Sequence, residues 1–150
     1  MRALLIAGGL LAMFSAVGAA IAQPDVINAR REGLRGMGRE MEAMKAIADS
    51  RGDPRPAAAR IEQMTAFFQT FPTRFPEGSG TPTGREPGQT GALPAVWSDN
   101  GGFQRAAANM VTQLGALRVA ATAGDPAGFA TAFQQTGATC GACHRAYRAR

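Results

Sequence analysis

The sequence contains few of the residues from which metal centres and enzyme active sites are usually built. Its 150 residues include two cysteines, one histidine, one tyrosine and one tryptophan. Both cysteines and the histidine fall within residues 140–144, Cys-Gly-Ala-Cys-His, so a second cluster of these side chains is excluded. A zinc site needs four protein ligands, or three and a water. Cys143 and His144 are adjacent, which hampers their joint coordination of one tetrahedral ion. No acid, base and nucleophile set lies elsewhere, so the sequence predicts neither a zinc site nor an enzyme.

Lysine is almost absent as well, and the positive charge is carried by arginine. The formal net charge is +5, and 14 of the 15 cations that follow residue 22 are arginines. Such a balance suits an acidic partner or an anionic cofactor. The arginines are scattered and are not interleaved with aromatic residues in one strip, so no nucleic-acid partner is expected.

Charge is missing altogether from residues 3–22, which follow Arg2. This basic start, the apolar run and the small residues Ala20 and Ala22 are the pattern of a secretory signal peptide cleaved after Ala22. An uncleaved membrane anchor is the alternative, but no basic stop-transfer cluster follows the run. We therefore expect a signal peptide at 1–22 and one mature domain at 23–150. The mature domain would be exported to the periplasm of a Gram-negative source, with no stable membrane anchor after cleavage.

The mature chain has the apolar spacing of helices. Steps of three and four residues predict helices over about 24–48, 54–71 and 99–123, and from 126 to near the end of the chain. Gly-Asp-Pro occurs at 52–54 and again at 124–126. In such a junction Gly can end one helix, and Asp and Pro can begin the next. The expected fold is all-α, an antiparallel up-down-up-down four-helix bundle.

The connection between helices 2 and 3 breaks this pattern of short junctions. Residues 72–97 hold five prolines and five glycines. We therefore predict a long Pro/Gly-rich loop that is non-helical and crosses over the bundle, with a helical turn allowed only at 94–97. A loop of this length is uncommon in a compact domain.

The Cys-x-x-Cys-His stretch lies in the second half of the last predicted helix. A redox-active dithiol favours a helix N-terminus in a βαβ unit, and a disulfide between these positions would close too small a loop to stabilise much. The motif is typical of covalent attachment of haem c. Cys140 and Cys143 share one face of a helical turn and can both form thioethers to one haem, whose iron His144 can reach. Because the two cysteines continue the apolar stripe of Phe129 and Phe133, we expect one haem per chain inside the bundle.

Arg30 is a cation on the core-facing side of the first predicted helix, in line with Met37 and Met44. A buried cation is costly unless it is paired. A haem propionate would supply a partner through charge-assisted hydrogen bonds. The alternative is that Arg30 extends outward to solvent near the start of the helix.

Three stretches resemble the class II c-type cytochromes, the cytochrome c prime family: CGACHRAYR at 140–148, LPAVWSD at 93–99 and ARREGLRGMG at 29–38. The resemblance covers essentially all of 24–150. It implies a four-helix bundle that carries haem on its last helix, with Arg148 on the same side of the iron as His144. It also implies that Arg30 and Arg31 lie at a haem propionate or at the haem edge, although the family usually has glutamine at one of the two positions.

The resemblance further implies that one residue of the first helix faces the iron on the side opposite the histidine. The family pattern is a polar pair followed three residues later by this position, which selects Leu34. Leucine would leave the iron five-coordinate and high-spin, under an apolar pocket that admits NO or CO. A methionine would make the iron six-coordinate and low-spin, as suits electron transfer. Met37, further along the same stripe, is the alternative ligand, although methionines at this spacing ordinarily pack in the core.

Two functions follow as expectations. The first is a one-electron carrier that serves periplasmic redox partner proteins, and the second is an NO- or CO-binding protein. Homodimers that pair through the first two helices are common in the family. Gly33, Gly36 and Gly38 are small enough to permit the close helix approach that such pairing needs.

Overall fold

A computed structural model of the protein describes residues 23–150. Its helices are α1 (Gln23–Ser50), α2 (Ala58–Gln69), α3 (Ala95–Ser98), α4 (Asn100–Ala123) and α5 (Pro126–Tyr147). Two 3₁₀ turns, Arg55–Ala57 and Phe71–Arg74, flank α2. Within 23–150 there is no strand, which confirms the all-α prediction, and none of these helices is apolar over a length that could cross a membrane. The predicted signal peptide at 1–22 lies outside the described residues.

The four long helices bury one apolar core. α4 packs along α5 and α2, and α1 packs against both of these helices. The largest fully buried members of this core are Met44 on α1, Ile61 and Met64 on α2, Leu114 and Leu117 on α4, and Phe129 on α5. Full burial of a side chain of this kind stabilises the fold by about 1.5–3 kcal/mol. The predicted antiparallel four-helix bundle is confirmed.

At the junction between α4 and α5, the Gly-Asp-Pro residues have their predicted roles in ending one helix and beginning the next. Gly124 ends α4 in the left-handed conformation, with φ of 65°. The carboxylate of Asp125 accepts hydrogen bonds from the backbone N–H groups of Ala127 and Gly128 at 3.1 and 3.0 Å. Pro126 is the first helical residue, where its missing N–H costs nothing. Asp125 therefore fixes the start of the helix that carries the Cys-x-x-Cys-His stretch.

Asp125→Ala should lower the free energy of unfolding by about 1 kcal/mol, because two N–H groups at the start of α5 lose their acceptor. Urea unfolding followed by circular dichroism measures the change. Asp49→Ala, on an exposed part of α1, is the matched control and should change the stability much less. Equal losses in the two variants would contradict the capping role.

The junction before α2 differs from the prediction. The left-handed residue is Arg51, with φ of 50°, and not Gly52. Asp53 accepts from the backbone N–H of Arg55 at 3.0 Å, and a 3₁₀ turn precedes α2. The predicted start of helix 2 at residue 54 is therefore wrong by four residues, because the ring of Pro56 disfavours regular α-helical geometry at Arg55, the residue before it.

The long loop is packed by its own aromatic residues at one end of the bundle. Phe71 and Phe75 contact each other with ring centroids 5.0 Å apart, and Phe75 contacts Phe103 of α4 at 4.9 Å. The indole N–H of Trp97 donates to the carbonyl of Phe75 at 3.1 Å. The helical turn allowed at 94–97 is present as α3. This second cluster holds the loop as a wall beside the end of α5.

Candidate functional site

A cavity of about 730 Å³ opens at the loop end of the bundle. Its walls come from α1, the first half of α4, the end of α5 and loop residues 83–94. The inner wall is apolar and is formed by Phe68, Phe71, Phe75, Val96, Phe103, Ala107 and Met110. This volume lies within the range of cofactor pockets, about 300–1,000 Å³.

The two cysteines reach this cavity from α5. Cys140 and Cys143 are half-buried free thiols that line it, and Cys140 also packs against the main core. Burial raises the pKa of both thiols. A redox-active cysteine needs a lowered pKa, so this environment disfavours a reactive dithiol. The position of the pair on the helix and the burial of its thiols both disfavour this chemistry.

His144 lines the same cavity beside Cys143. Burial, followed by the positive charge of Arg148, lowers the pKa of the imidazole. The neutral ring is the form that can donate a lone pair. A guanidinium nitrogen of Arg148 lies 3.5 Å from the Nδ1 atom of His144. The histidine and the arginine therefore lie together at the end of α5, as the resemblance implies.

The residues after α5 are held in place by the loop. The N–H of Leu93 donates to the carbonyl of Tyr147 at 3.0 Å, and the N–H of Ala149 donates to the carbonyl of Gly91 at 2.8 Å. The hydroxyl of Tyr147 donates to Asp99, the N-cap of α4, at 2.8 Å. Sequence reasoning missed these ties, because an isolated backbone pairing between distant residues has no sequence signature.

Leu34 and Met37 occupy different environments on α1. Leu34 lines the cavity, and 36% of its surface is exposed there. Met37 does not line the cavity and packs against the main core instead. The structure therefore places only Leu34 with the cysteines and His144.

Arg30 is buried, with 2% of its surface exposed. Its guanidinium donates to the hydroxyls of Ser79 and Thr90 at 2.8 and 2.6 Å and to the carbonyl of Ser79 at 2.6 Å. It also lies over the ring of Phe75, 4.5 Å from the centroid. The alternative that Arg30 extends to solvent is wrong, because the loop closes over it. No carboxylate among the described residues pairs with it, and burial lowers its pKa to about 10.

Arg31 also lines the cavity, but its terminal nitrogens hold the loop. They donate to the carbonyls of Arg85 and Glu86, and to that of Gln89 at 3.0 Å. Three convergent carbonyls satisfy a guanidinium well, since it has five donors and no acceptor. Arg31 therefore lies at the cavity and also binds the loop. The sequence did not indicate this second role.

One of the glycines offered as a dimer contact has an internal role. A Cβ atom at Gly33 would lie 2.4 Å from the ring of Phe67, so Gly33 lets α2 approach α1 within one chain. A Cβ at Gly38 would meet nothing within 4 Å. Gly33 therefore gives no support to pairing between chains.

A family model described as Cytochrome C′ matches residues 25–148 of this chain. The chain belongs to the cytochrome c′ family. It is 36% identical over 124 residues to cytochrome c-556 of Agrobacterium fabrum, covering 79% of this chain and 78% of that protein. It is 32% identical over 120 residues to cytochrome c′ of Pararhodospirillum photometricum, covering 79% and 92%.

Solved structures of the cytochrome c′ family have the same fold. Cytochrome c′ of Rubrivivax gelatinosus superposes with a TM-score of 0.72 at 28% identity, covering 84% of this chain and 96% of that one. Cytochrome c′ of Thermochromatium tepidum gives a TM-score of 0.76 at 25% identity, covering 87% and 98%. A nitric oxide complex of a variant from Alcaligenes xylosoxidans matches with a TM-score of 0.74 at 26% identity.

Haem is the cofactor of cytochromes c′, and the residues present fit it. The cavity is large enough and its inner wall is apolar. Two thiols and an imidazole line it from one end of α5, and these are the donors a c-type haem requires. Arg30 places a buried cation on the same cavity, and none of the carboxylates in residues 23–150 pairs with it. An anionic haem edge suits such a cation.

Proposed function

We propose that the chain is an exported c-type cytochrome that carries one covalently bound haem in the periplasm and transfers single electrons. Cys140 and Cys143 would form the two thioethers, and His144 would be the axial ligand of the iron. The observation that carries the proposal is that these three side chains line one apolar cavity in a chain of the cytochrome c′ family.

Each group of residues has a distinct part in this function. When bound, haem supplies one-electron chemistry between the ferric and ferrous states of its iron. The two cysteines fix the cofactor to α5, and the phenylalanines of the inner wall exclude water from it. Arg148 would shield His144 from solvent, and Arg30 and Arg31 hold the loop that closes the cavity. Among the residues that the structure describes, none that lines the cavity is a carboxylate.

A second candidate function, binding of NO or CO, is favoured by the position of Leu34. Leucine has no lone pair for a metal, and Leu34 lines the cavity while Met37 does not. His144 would then be the only protein ligand, the iron would be five-coordinate and high-spin, and its other face would be open to a diatomic gas. A related cytochrome c′ variant has been solved as a nitric oxide complex. The low-spin alternative, with Met37 as the ligand, would need that side chain to leave the core.

Visible absorption spectroscopy of the purified holoprotein tests this assignment. We expect a high-spin spectrum that shifts when NO is added, and when CO is added to the ferrous protein. A low-spin spectrum that does not change with either gas would contradict an open sixth coordination position on the iron. It would remain consistent with the electron-carrier function.

Met37→Ala should leave the visible spectrum of the holoprotein unchanged, because Met37 packs in the core and not on the cavity wall. Leu34→Met is the paired variant. It places a thioether sulfur, a known axial haem ligand, on the cavity wall. Loss of a low-spin signature in Met37→Ala would show that Met37 ligates the iron.

A further inference from the structure

The mouth of the cavity is strongly and one-sidedly charged. Among the described residues, no aspartate or glutamate lines the cavity, but six arginines do: Arg30, Arg31, Arg35, Arg85, Arg148 and Arg150. Arg30 and Arg31 are turned toward the loop that they hold. Arg35, Arg85, Arg148 and Arg150 are exposed to solvent. The solvent-facing rim of the cavity is therefore cationic.

The rest of the described chain carries a net negative charge. Outside the cavity, residues 24–150 hold nine cations against eleven carboxylates, a net charge of −2. Two carboxylates lie near the rim: Glu32, which pairs with Arg35 at 3.4 Å, and the exposed Glu86, which follows Arg85 in the sequence. The rim keeps an excess of positive charge after both. A charge distribution of this kind orients an approaching anion toward the cavity before contact.

Arg85 projects from a turn whose backbone is held by residues of α1. Its carbonyl accepts from Arg31, and in the same turn the N–H of Gly88 donates to the side chain of Asn28 at 2.8 Å. The N–H of Glu86 donates to the side chain of Gln89 at 3.0 Å. Two residues of α1 thus fix the turn from which Arg85 projects. A group held in advance loses less conformational entropy when it binds a partner.

Apolar residues lie inside this rim. Pro94 is exposed and Leu93 is half-buried, and both line the cavity with the arginines. Protein interfaces combine an apolar centre with a polar rim, and arginine is enriched in them. The exposed arginines surround an opening and do not converge on one point. A broad acidic surface therefore fits this rim better than a single small anion.

We propose that the arginine rim of the cavity is a docking surface for the acidic face of a redox partner protein. The proposal rests on the electron-transfer function proposed above. Attraction between the two surfaces would bring the partner to the mouth of the cavity that would hold the haem. Attraction of this kind acts mainly on the association rate and weakens as salt screens it.

The test measures oxidation of the ferrous holoprotein by two acceptors of opposite charge in stopped flow. One is plastocyanin, an acidic protein whose Cu(II) takes one electron and becomes Cu(I). The other is the cationic complex tris(1,10-phenanthroline)cobalt(III), which takes one electron and becomes cobalt(II). In both reactions the haem iron passes from ferrous to ferric. The second-order rate with plastocyanin should fall as ionic strength rises, and the rate with the cobalt complex should rise.

Arg85→Glu reverses one rim charge without removing the backbone carbonyl that Arg31 binds. At low ionic strength it should slow the reaction with plastocyanin by about threefold or more and speed the reaction with the cobalt complex. If the two rates change in opposite directions, the cause is the altered charge, because a change of redox potential would raise or lower both rates together. Arg118→Glu is the matched control. It lies on α4, eight residues and about 12 Å beyond Met110, and does not line the cavity.

The outcomes are distinct. Equal effects of Arg85→Glu and Arg118→Glu, or the same salt dependence with both acceptors, would overturn the docking surface and leave electron transfer intact. Failure of both acceptors to oxidise the ferrous protein would overturn the proposed function itself. Salt-sensitive binding to phosphatidylglycerol vesicles, together with a salt-insensitive rate with plastocyanin, would assign the rim to a membrane surface instead.

Discussion

Replacing both cysteines, as in Cys140→Ala with Cys143→Ala, should abolish covalent haem in this protein. The thioether bonds need the two sulfur atoms, and the sequence contains no other cysteine. Haem staining of a denaturing gel should show no band for the double variant and a strong band for the wild type. Each single variant should keep one attachment and stain more weakly.

The control for this experiment lies between the two cysteines. Ala142 is exposed on the same turn of α5 while the cysteines line the cavity. Ala142→Ser should therefore retain the haem stain. A double cysteine variant that still stains after denaturation would contradict the assignment of these residues. Mass spectrometry of the accumulated chain distinguishes loss of haem from loss of the protein.

Replacing Arg30 should destabilise the fold far more than replacing an exposed arginine of α1, because Arg30 is buried and holds the loop. Arg30→Met keeps much of the side-chain volume and removes three short hydrogen bonds that hold Ser79 and Thr90. Hydrogen bonds to a charged group contribute about 1.5–3 kcal/mol each, but removing a buried unpaired cation recovers part of that loss. We expect the free energy of unfolding to fall by about 2–3 kcal/mol.

Urea unfolding of the holoprotein measures this loss, and hydrogen exchange over 79–90 locates it. Arg39→Met is the matched control, because Arg39 lies on the exposed side of α1 and its ion pair with Glu32 is open to solvent. Exposed pairs of this kind contribute at most about 1 kcal/mol. An Arg30 variant as stable as the Arg39 variant would show that the loop does not depend on the buried guanidinium.

The helices could be predicted because the apolar pattern that specifies each helix lies within one continuous stretch of sequence. The apolar stripe of α4 predicts a helix over 99–123, and the structure has Asn100–Ala123. The stripe of α1 predicts 24–48, and the structure has Gln23–Ser50. The cysteines and His144 lie within five residues, so one turn of helix brings them together without tertiary contacts. α2 was predicted less well, because the prolines before it favour a 3₁₀ turn.

The course of the loop could not be predicted, because it depends on contacts between distant residues. Arg30 reaches Ser79 and Thr90 across 49 and 60 positions, and neither partner has a distinctive sequence context. The sequence did indicate that Arg30 is a buried cation in need of a partner. It could not indicate that loop carbonyls and hydroxyls would contact the guanidinium, or that Arg31 would hold the turn that carries Arg85.

Covalent attachment of haem is tested by the mass of the protein recovered from the periplasm of a Gram-negative host that matures c-type cytochromes. We predict a chain that begins at Gln23 and carries one haem, which acid–acetone extraction does not remove. A chain of the same length without haem, or with haem that the extraction removes, would contradict covalent attachment at Cys140 and Cys143.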